Sequence, residues 1–313
     1  MAVIAVVGAV GVGLVYALDR QPAAGETRLA EGLRVMAGGK ASNHALGLAQ
    51  FGHRVRLLSA LGEDAFAEIA RAAWRAHGVD DSAITVHAGK ATMVGVVWTD
   101  HLGDNRVVIG PNVLNLFTPN CVDADEAAIR SADAVLVSLE MPIASGRRAL
   151  ELARRAGVLT VLNPAPAPSR DDVAAIVELC DWITPNKGEA EAMTGAADPS
   201  VAAAKLRRLG VRHVAVTLGA EGVLYAGADG EEHIPSPKVP VLDTSGAGDA
   251  FNVALVDALV TGCAPRTAVA HGCAAGARIV QGPGFLDALD LLADLAAPPV
   301  RCESARSKGA PMS

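Results

Sequence analysis

Short apolar runs alternate along the chain with longer segments of helical spacing. Residues 3–7, 55–60, 134–139, 160–162, 182–184 and 213–218 predict strands, and their nearly unbroken apolar character predicts burial on both faces. Residues 42–51, 64–77 (stopped by Gly78) and 142–155 predict helices, with Pro142 in a first turn where its missing N–H is no loss. Residues 249–261, 265–280 and 285–296 predict the closing helices. Strands alternating with helices predict an α/β fold, a mainly parallel central sheet with helices on both faces.

Two segments break this rhythm. Residues 12–35 and 91–109 read as hairpin-forming β material, with polar turns at Gln21-Pro22 and Gly103-Asp104-Asn105. They predict a small antiparallel sheet inserted into the parallel body as a lid. Residues 1–18 are apolar enough to suggest a membrane segment. They lack a basic leading stretch, contain Gly8, Gly11 and Gly13, and run into Asp19 and Arg20, which fits a buried strand and a glycine-rich turn better. The polar tail after Pro298 predicts disorder, so the chain reads as one domain over 1–298 followed by a tail over 299–313.

Composition narrows the classes. The chain is 51% hydrophobic but only 3% aromatic, so the core is built from small aliphatic side chains. A net charge of −7 with no Lys/Arg block argues against nucleic acid or a membrane surface as a main partner. The 5 cysteines are scattered without a C-x-x-C pair, which predicts reduced, mostly buried thiols in a cytoplasmic protein.

The candidate chemistry centres on residues 243–250, Asp-Thr-Ser-Gly-Ala-Gly-Asp-Ala. Gly246, Ala247 and Gly248 let the backbone approach a ligand closely where a helix begins. The first N–H groups of a helix lack internal partners and lie at the positive end of its dipole, so this turn is suited to an anion. Asp249, in the same turn, is a poor phosphate ligand but a suitable base for a hydroxyl attacking a phosphate. The residues also fit an ordinary glycine-rich turn with a capping acid.

Four further stretches bear on this. Gly38-Gly39-Lys40-Ala41-Ser42-Asn43 opens a predicted helix, and Glu140 stands at a strand's C-terminal end, where open α/β sheets bind ligands. Asn186-Lys187-Gly188-Glu189 and Thr217-Leu218-Gly219-Ala220-Glu221-Gly222 follow two more strand ends. With these, nearly the whole chain, residues 1–296, resembles the ribokinase, or PfkB-type, family of carbohydrate kinases. The Gly38-Gly39-Lys40 segment is similar to the family's first signature and 243–249 to its second, D-T-x-G-A-G-D. Leu162-Asn163-Pro164-Ala165-Pro166-Ala167 and Thr184-Pro185-Asn186 resemble ribokinases in particular.

The resemblance implies a ribokinase-like three-layer sandwich and ATP-dependent phosphorylation of a hydroxyl on a sugar or nucleoside, with Mg²⁺ and usually K⁺. It makes Asp249 the general base and the N–H groups of Gly246, Ala247 and Gly248 the anion hole. Asn186 and Glu189 match an N-x-x-E motif that organises phosphate and hydrated Mg²⁺. Thr217, Gly219 and Gly222 match a nucleotide-binding loop, and His271 falls beside the adenine. Asp243 and the backbone around Ser245 match a monovalent-cation site. Gly38, Gly39, Lys40, Asn43 and Glu140 match positions around the sugar, together with Gly11 and Gly13. Lid sheets of the family often pair subunits, which implies a homodimer. Plainer readings exist: Asn186 and Glu189 as a helix cap, His271 as an ordinary helix histidine, Glu140 as a charge at a helix start, Lys40 as a surface lysine.

The chain departs from the family after its first strand. Ribokinases run there into G-S-x-N-x-D, whose Asn and Asp hold sugar hydroxyls, whereas this chain has Gly8-Ala9-Val10-Gly11-Val12-Gly13. A hydrogen bond to a charged group is worth about 1.5–3 kcal/mol. Ribose binding is therefore expected to be weakened, with specificity moved toward a bulkier sugar or a nucleoside, unless a lid residue supplies the contact. The glycines miss the G-x-G-x-x-G spacing of a dinucleotide-binding oxidoreductase. An intact Asp249 argues against a non-catalytic binding protein on the kinase fold.

Overall fold

The computed structural model describes residues 1–30, 32–99 and 105–295. β1 (Val3–Val7) and β2 (Gly11–Ala17) come first, and β3 (Leu33–Gly38) runs directly into α1 (Lys40–Gln50). β4 (Arg54–Gly62), α2 (Ala65–Ala76), β5 (Ile84–His87), β6 (Met93–Thr99) and β7 (Asn105–Gly110) follow. Next come α3 (Pro119–Ala124), α4 (Glu126–Arg130), β8 (Ala134–Ser138), α5 (Ile143–Ala156), β9 (Leu159–Asn163), α6 (Arg170–Val177) and β10 (Trp182–Ile183). α7 (Lys187–Thr194), α8 (Pro199–Arg208), β11 (His213–Thr217), β12 (Val223–Gly227), β13 (Gly230–Ile234), α9 (Ala247–Val260) and α10 (Pro265–Ile279) complete the order.

Nine strands form the body sheet in the order β13-β12-β11-β10-β9-β8-β1-β4-β5. Its pairings are parallel from β10/β11 through β4/β5, and the β11-β12-β13 edge is antiparallel. Side chains on a strand alternate between faces. In β1, Ile4 and Val6 join one core with α1, α2, α9 and α10, while Ala5 and Val7 join the other with the helices from α3 to α8. β1 lies between β8 and β4, where the winding of the sheet reverses, and a crevice opens at the carboxyl ends of the strands there.

The lid is the four-stranded sheet β3-β2-β6-β7. Its outer pairings are antiparallel and the central β2/β6 pairing is parallel, because two hairpins leave the body at separate points and meet side by side. The apolar start of the chain thus folds as β1 and β2. Among the described residues, no helix is long and apolar enough to cross a membrane. Cys180, Cys263 and Cys273 are buried, as expected.

Two expectations need correction. Residues 285–296 do not form an α-helix; only a 3-10 turn over Leu289–Leu295 is present, and position 296 lies outside the described residues. Gly282-Pro283-Gly284, with Gly284 at φ 108°, breaks the chain just before this run, and its first residues form turns rather than helix. Pro142 is the extended residue before α5 rather than part of its first turn. Gly103 and Asp104 of the predicted lid turn, Cys302 and the predicted tail lie outside the described residues.

Candidate active site

The site assembles from two helix N-termini that face each other under the lid. The first is that of α1. Gly39 has φ 92°, and a Cβ there would stand 2.4 Å from the Ala9 carbonyl oxygen, so only glycine lets the chain cross the loop after β1 this closely. The crossing delivers Lys40 to the first turn of α1. Its backbone N–H, one of the donors a helix start leaves without an internal partner, donates to Glu140 Oε2 at 3.0 Å. Lys40, Asn43 and His44, spaced i, i+3 and i+4, project from one face of the helix.

The second N-terminus is that of α9. Gly246 precedes it at φ 82°, and a Cβ there would lie 2.6 Å from Phe285 Cβ. The turn is anchored on both sides. Leu242 N–H donates to the Val280 carbonyl at 2.7 Å, and Ser245 N–H donates to Asp243 Oδ1 at 2.8 Å. From beneath, Thr184 Oγ donates to Asn252 Oδ1 at 2.7 Å, and Asn252 Nδ2 donates to the Gly248 carbonyl at 2.8 Å. Ala247 N–H is bonded to the Thr244 carbonyl at 3.3 Å, so of the three expected anion-hole amides this one is already engaged.

Asp249, in the first turn of α9, is buried, with three side chains of α1 around its carboxylate. Asn43 Nδ2 donates to Oδ2 at 2.7 Å, while Lys40 Nζ and His44 Nε2 stand 3.5 Å and 3.4 Å from Oδ1. Burial alone pushes the carboxyl up. The Lys40 charge, with His44 and Asn43, outweighs this and holds it well below the ordinary carboxylate range. The Asp249 charge in turn holds the Lys40 ammonium above its usual value against the effect of burial, with Glu140 and Glu189 adding to it. Burial raises Glu140 and Glu189, and Lys40 partly opposes both shifts.

Between these helix starts and the lid lies a cavity of about 210 Å³. Gly13, Gly38, Gly39, Lys40, Asn43, Glu140, Asp243, Ser245, Gly246 and Asp249 all line it, so most of the sugar-side expectations converge on one place. Gly11 does not line it. A Cβ at Gly11 would lie 2.2 Å from the Met93 carbonyl oxygen, so this glycine serves the close approach of β2 to β6 and makes no room for substrate. At Gly13 a Cβ would meet nothing nearer than Met36 Cγ at 3.9 Å, and there the space is real.

Asn186 and Glu189 follow the carboxyl end of β10, and Thr217 and Gly219 that of β11. Asn186 and Glu189 form a reciprocal capping box at the start of α7, each bond 2.8 Å. Asn186 also bridges to Thr217 at the end of β11. Gly219, at φ 62°, starts a short turn closed by Gly222, where a Cβ would lie 2.2 Å from the Ile234 carbonyl oxygen. His271 is exposed on α10, the helix packed against β12 and β13. Among the described residues no three His, Cys, Asp or Glu side chains converge as a metal cage.

Three contributors were not anticipated. His44 could have been found from its i+4 spacing to Lys40. Arg34 of the lid lines the cavity, pairs with Asp287 at 2.5 Å and donates to the Pro283 carbonyl at 2.8 Å. Arg34 and Asn252 carry no local signal, since their partners are distant in sequence.

The chain is 32% identical to the ribokinase of Haemophilus influenzae over 265 residues, covering 83% of this chain and 86% of that protein. It is 28% identical to the deoxyribokinase of Salmonella typhi over 253 residues, covering 79% and 82%. Among solved structures, Thermotoga maritima ribokinase superposes with a TM-score of 0.82 at 30% identity, covering 93% of this chain and 96% of that one. Arabidopsis thaliana ribokinase, solved with ribose and ATP, gives 0.81 at 27% identity, covering 93% and 98%. The model of the pfkB family of carbohydrate kinases matches residues 1–290, and with a buried aspartate at a helix start beneath a β lid the chain belongs to that family, as an ATP-dependent kinase of a sugar-like hydroxyl.

Proposed function

We propose that Asp249 takes the proton from the acceptor hydroxyl as it attacks, while the first-turn amides of α9 around Gly246 and Gly248 face the charge on the transferring group. ATP supplies the phosphoryl group when bound. The observation that carries this reading is the buried Asp249 carboxylate lining the cavity beside Lys40, at the start of a helix. Asn186 and Glu189 orient the phosphate and Mg²⁺ end, Thr217, Gly219 and Gly222 shape the nucleotide loop, and His271 borders the adenine. Asp243 and the backbone around Ser245 would hold a monovalent cation, K⁺ by family pattern, that stiffens the turn before α9.

The acceptor is a sugar or a nucleoside other than plain ribose. Its support is the space at Gly13 and the apolar lid side chains Met36, Val97, Val107 and Ile109 around it, which suit an apolar substituent. The opposite face of the lid supports a homodimer. The strand register puts Leu14, Leu33, Val35, Val96 and Val108 together there, and Leu33, Val35 and Val108 remain 48%, 41% and 57% exposed.

The test is a coupled ADP-release assay across pentoses, hexoses and nucleosides, with Mg²⁺ and with or without K⁺. Strong turnover of one compound, and weak turnover of D-ribose, is the expected result. Silence across the panel with ATP still bound would move the reading to a binding protein on the kinase fold.

A further inference from the structure

His44 has no part in the substrate, phosphate or metal roles proposed above, yet it touches the group at their centre. It is fully buried in α1. Neither ring nitrogen has a hydrogen-bond partner, and Asp249 Oδ1 is likewise without one. The unpartnered ring nitrogen faces this oxygen, His44 Nε2 standing 3.4 Å from Oδ1, with the Lys40 ammonium at 3.5 Å on the same atom. Leaving a buried donor and a buried acceptor unmade is costly, and a shift of a few tenths of an ångström joins them, within ordinary hydrogen-bond length. The ring cannot turn out to solvent, because α1 is held between α9 and α2, where Trp74 Nε1 donates to Ser42 Oγ at 2.8 Å.

We infer that His44 is a positioning residue for Asp249: its Nε2–H donates to Oδ1 while Asn43 donates to Oδ2, and the two fix the plane of the carboxylate. An ionised carboxylate offers about four lone-pair sites. Asn43, His44 and Lys40 face three of them, so one remains for the proton of the acceptor hydroxyl. In this arrangement Nδ1 is the ring nitrogen left without a partner.

The inference rests on the kinase reading, and two measurements test it separately. Nitrogen-15 NMR of histidine-labelled protein, with His44→Gln identifying the resonance by its loss, reads which ring nitrogen carries the proton. A protonated Nε2 is expected; an Nε2 without a proton overturns the inference. In the ADP-release assay, His44→Gln keeps an amide donor and is expected to retain most of kcat. His44→Leu is expected to lose roughly 10- to 100-fold in kcat with little change in KM for ATP. A fully active His44→Leu, or a His44→Gln as impaired as His44→Leu, overturns the inference. If His44→Leu does not fold, the Gln variant and the spectrum still decide. The NMR measurement needs no turnover, so it stands apart from the reading of Asp249 as base, which full turnover by Asp249→Asn would remove.

Discussion

Gly11 and Gly13 stand where the family resemblance expects two polar residues, and the structure separates them. Gly13→Asp restores an acid at the position with room for it. Gly13 lies in β2 without a positive φ, lines the cavity, and would carry its Cβ 3.9 Å from Met36 Cγ and 4.0 Å from the Met36 carbonyl oxygen, which is ordinary contact. Replacing a glycine inside a strand recovers part of about 0.5–1 kcal/mol. The low β-propensity of aspartate offsets that gain, so little net change in stability is expected. A carboxylate accepting from a sugar hydroxyl contributes about 1.5–3 kcal/mol, a roughly 10- to 150-fold fall in KM for D-ribose. Repulsion from Glu140 and Asp249, only partly countered by Arg34 and Lys40, places the outcome toward the lower end. Gly11→Asn is the control. Its Cβ would press on the Met93 carbonyl, so β2 and β6 must part, and the expected result is a less stable protein with no gain on ribose. Steady-state kinetics on D-ribose, with thermal melts of both variants, checks the pair. A well-folded Gly13→Asp whose KM for ribose is unchanged or higher would refute the view that Gly13 faces the acceptor.

Other outcomes follow from the same geometry. Asp249→Asn should lower kcat by about 10²- to 10⁴-fold while calorimetry finds ATP affinity little altered; a loss of only a few fold would remove Asp249 as the base. Burial raises the Glu140 carboxyl, so in folding it contributes fully below its unfolded pKa, and that contribution fades as pH climbs through the higher folded value. Glu140→Gln should therefore be more stable than the parent to urea at neutral pH, with the difference vanishing in acid; a constant difference at all pH values would contradict this. Asn186→Ala breaks the capping box of α7 and should cost about 0.5–2 kcal/mol in urea unfolding, whereas an unchanged midpoint would mean the box contributes nothing.

Much of the fold was legible because its elements are written in local periodicity. The strand read over 3–7 coincides with β1, and the helix read over 64–77 is α2 with Asp64 and His77 as its caps. The two rhythm-breaking segments supplied the lid strands, since hairpin-forming β material has no place in a strand-helix alternation. The helix read over 285–296 failed because helical apolar spacing is also met by a run of turns and a 3-10 segment, and Gly-Pro-Gly just before it breaks the chain's helical path. The parallel β2/β6 pairing was not legible at all, since nothing near either strand specifies its partner.

The site divides in the same way. The sequence by itself determined the two helix starts, the glycines that let each be approached, and the acid and lysine they carry, because each depends on residue type within a few positions. Only the tertiary structure decided that Asn43 reaches Asp249 across 206 residues, that His44 stands against the same carboxylate, and that Arg34 closes the rim from the lid. It also decided that, of two glycines alike in sequence, Gly11 is held against a neighbouring backbone while Gly13 faces open space. Chain spacing specifies which side chains share a face of one element. Which faces meet is set by how the sheet, its helices and the lid pack, and no local pattern contains that.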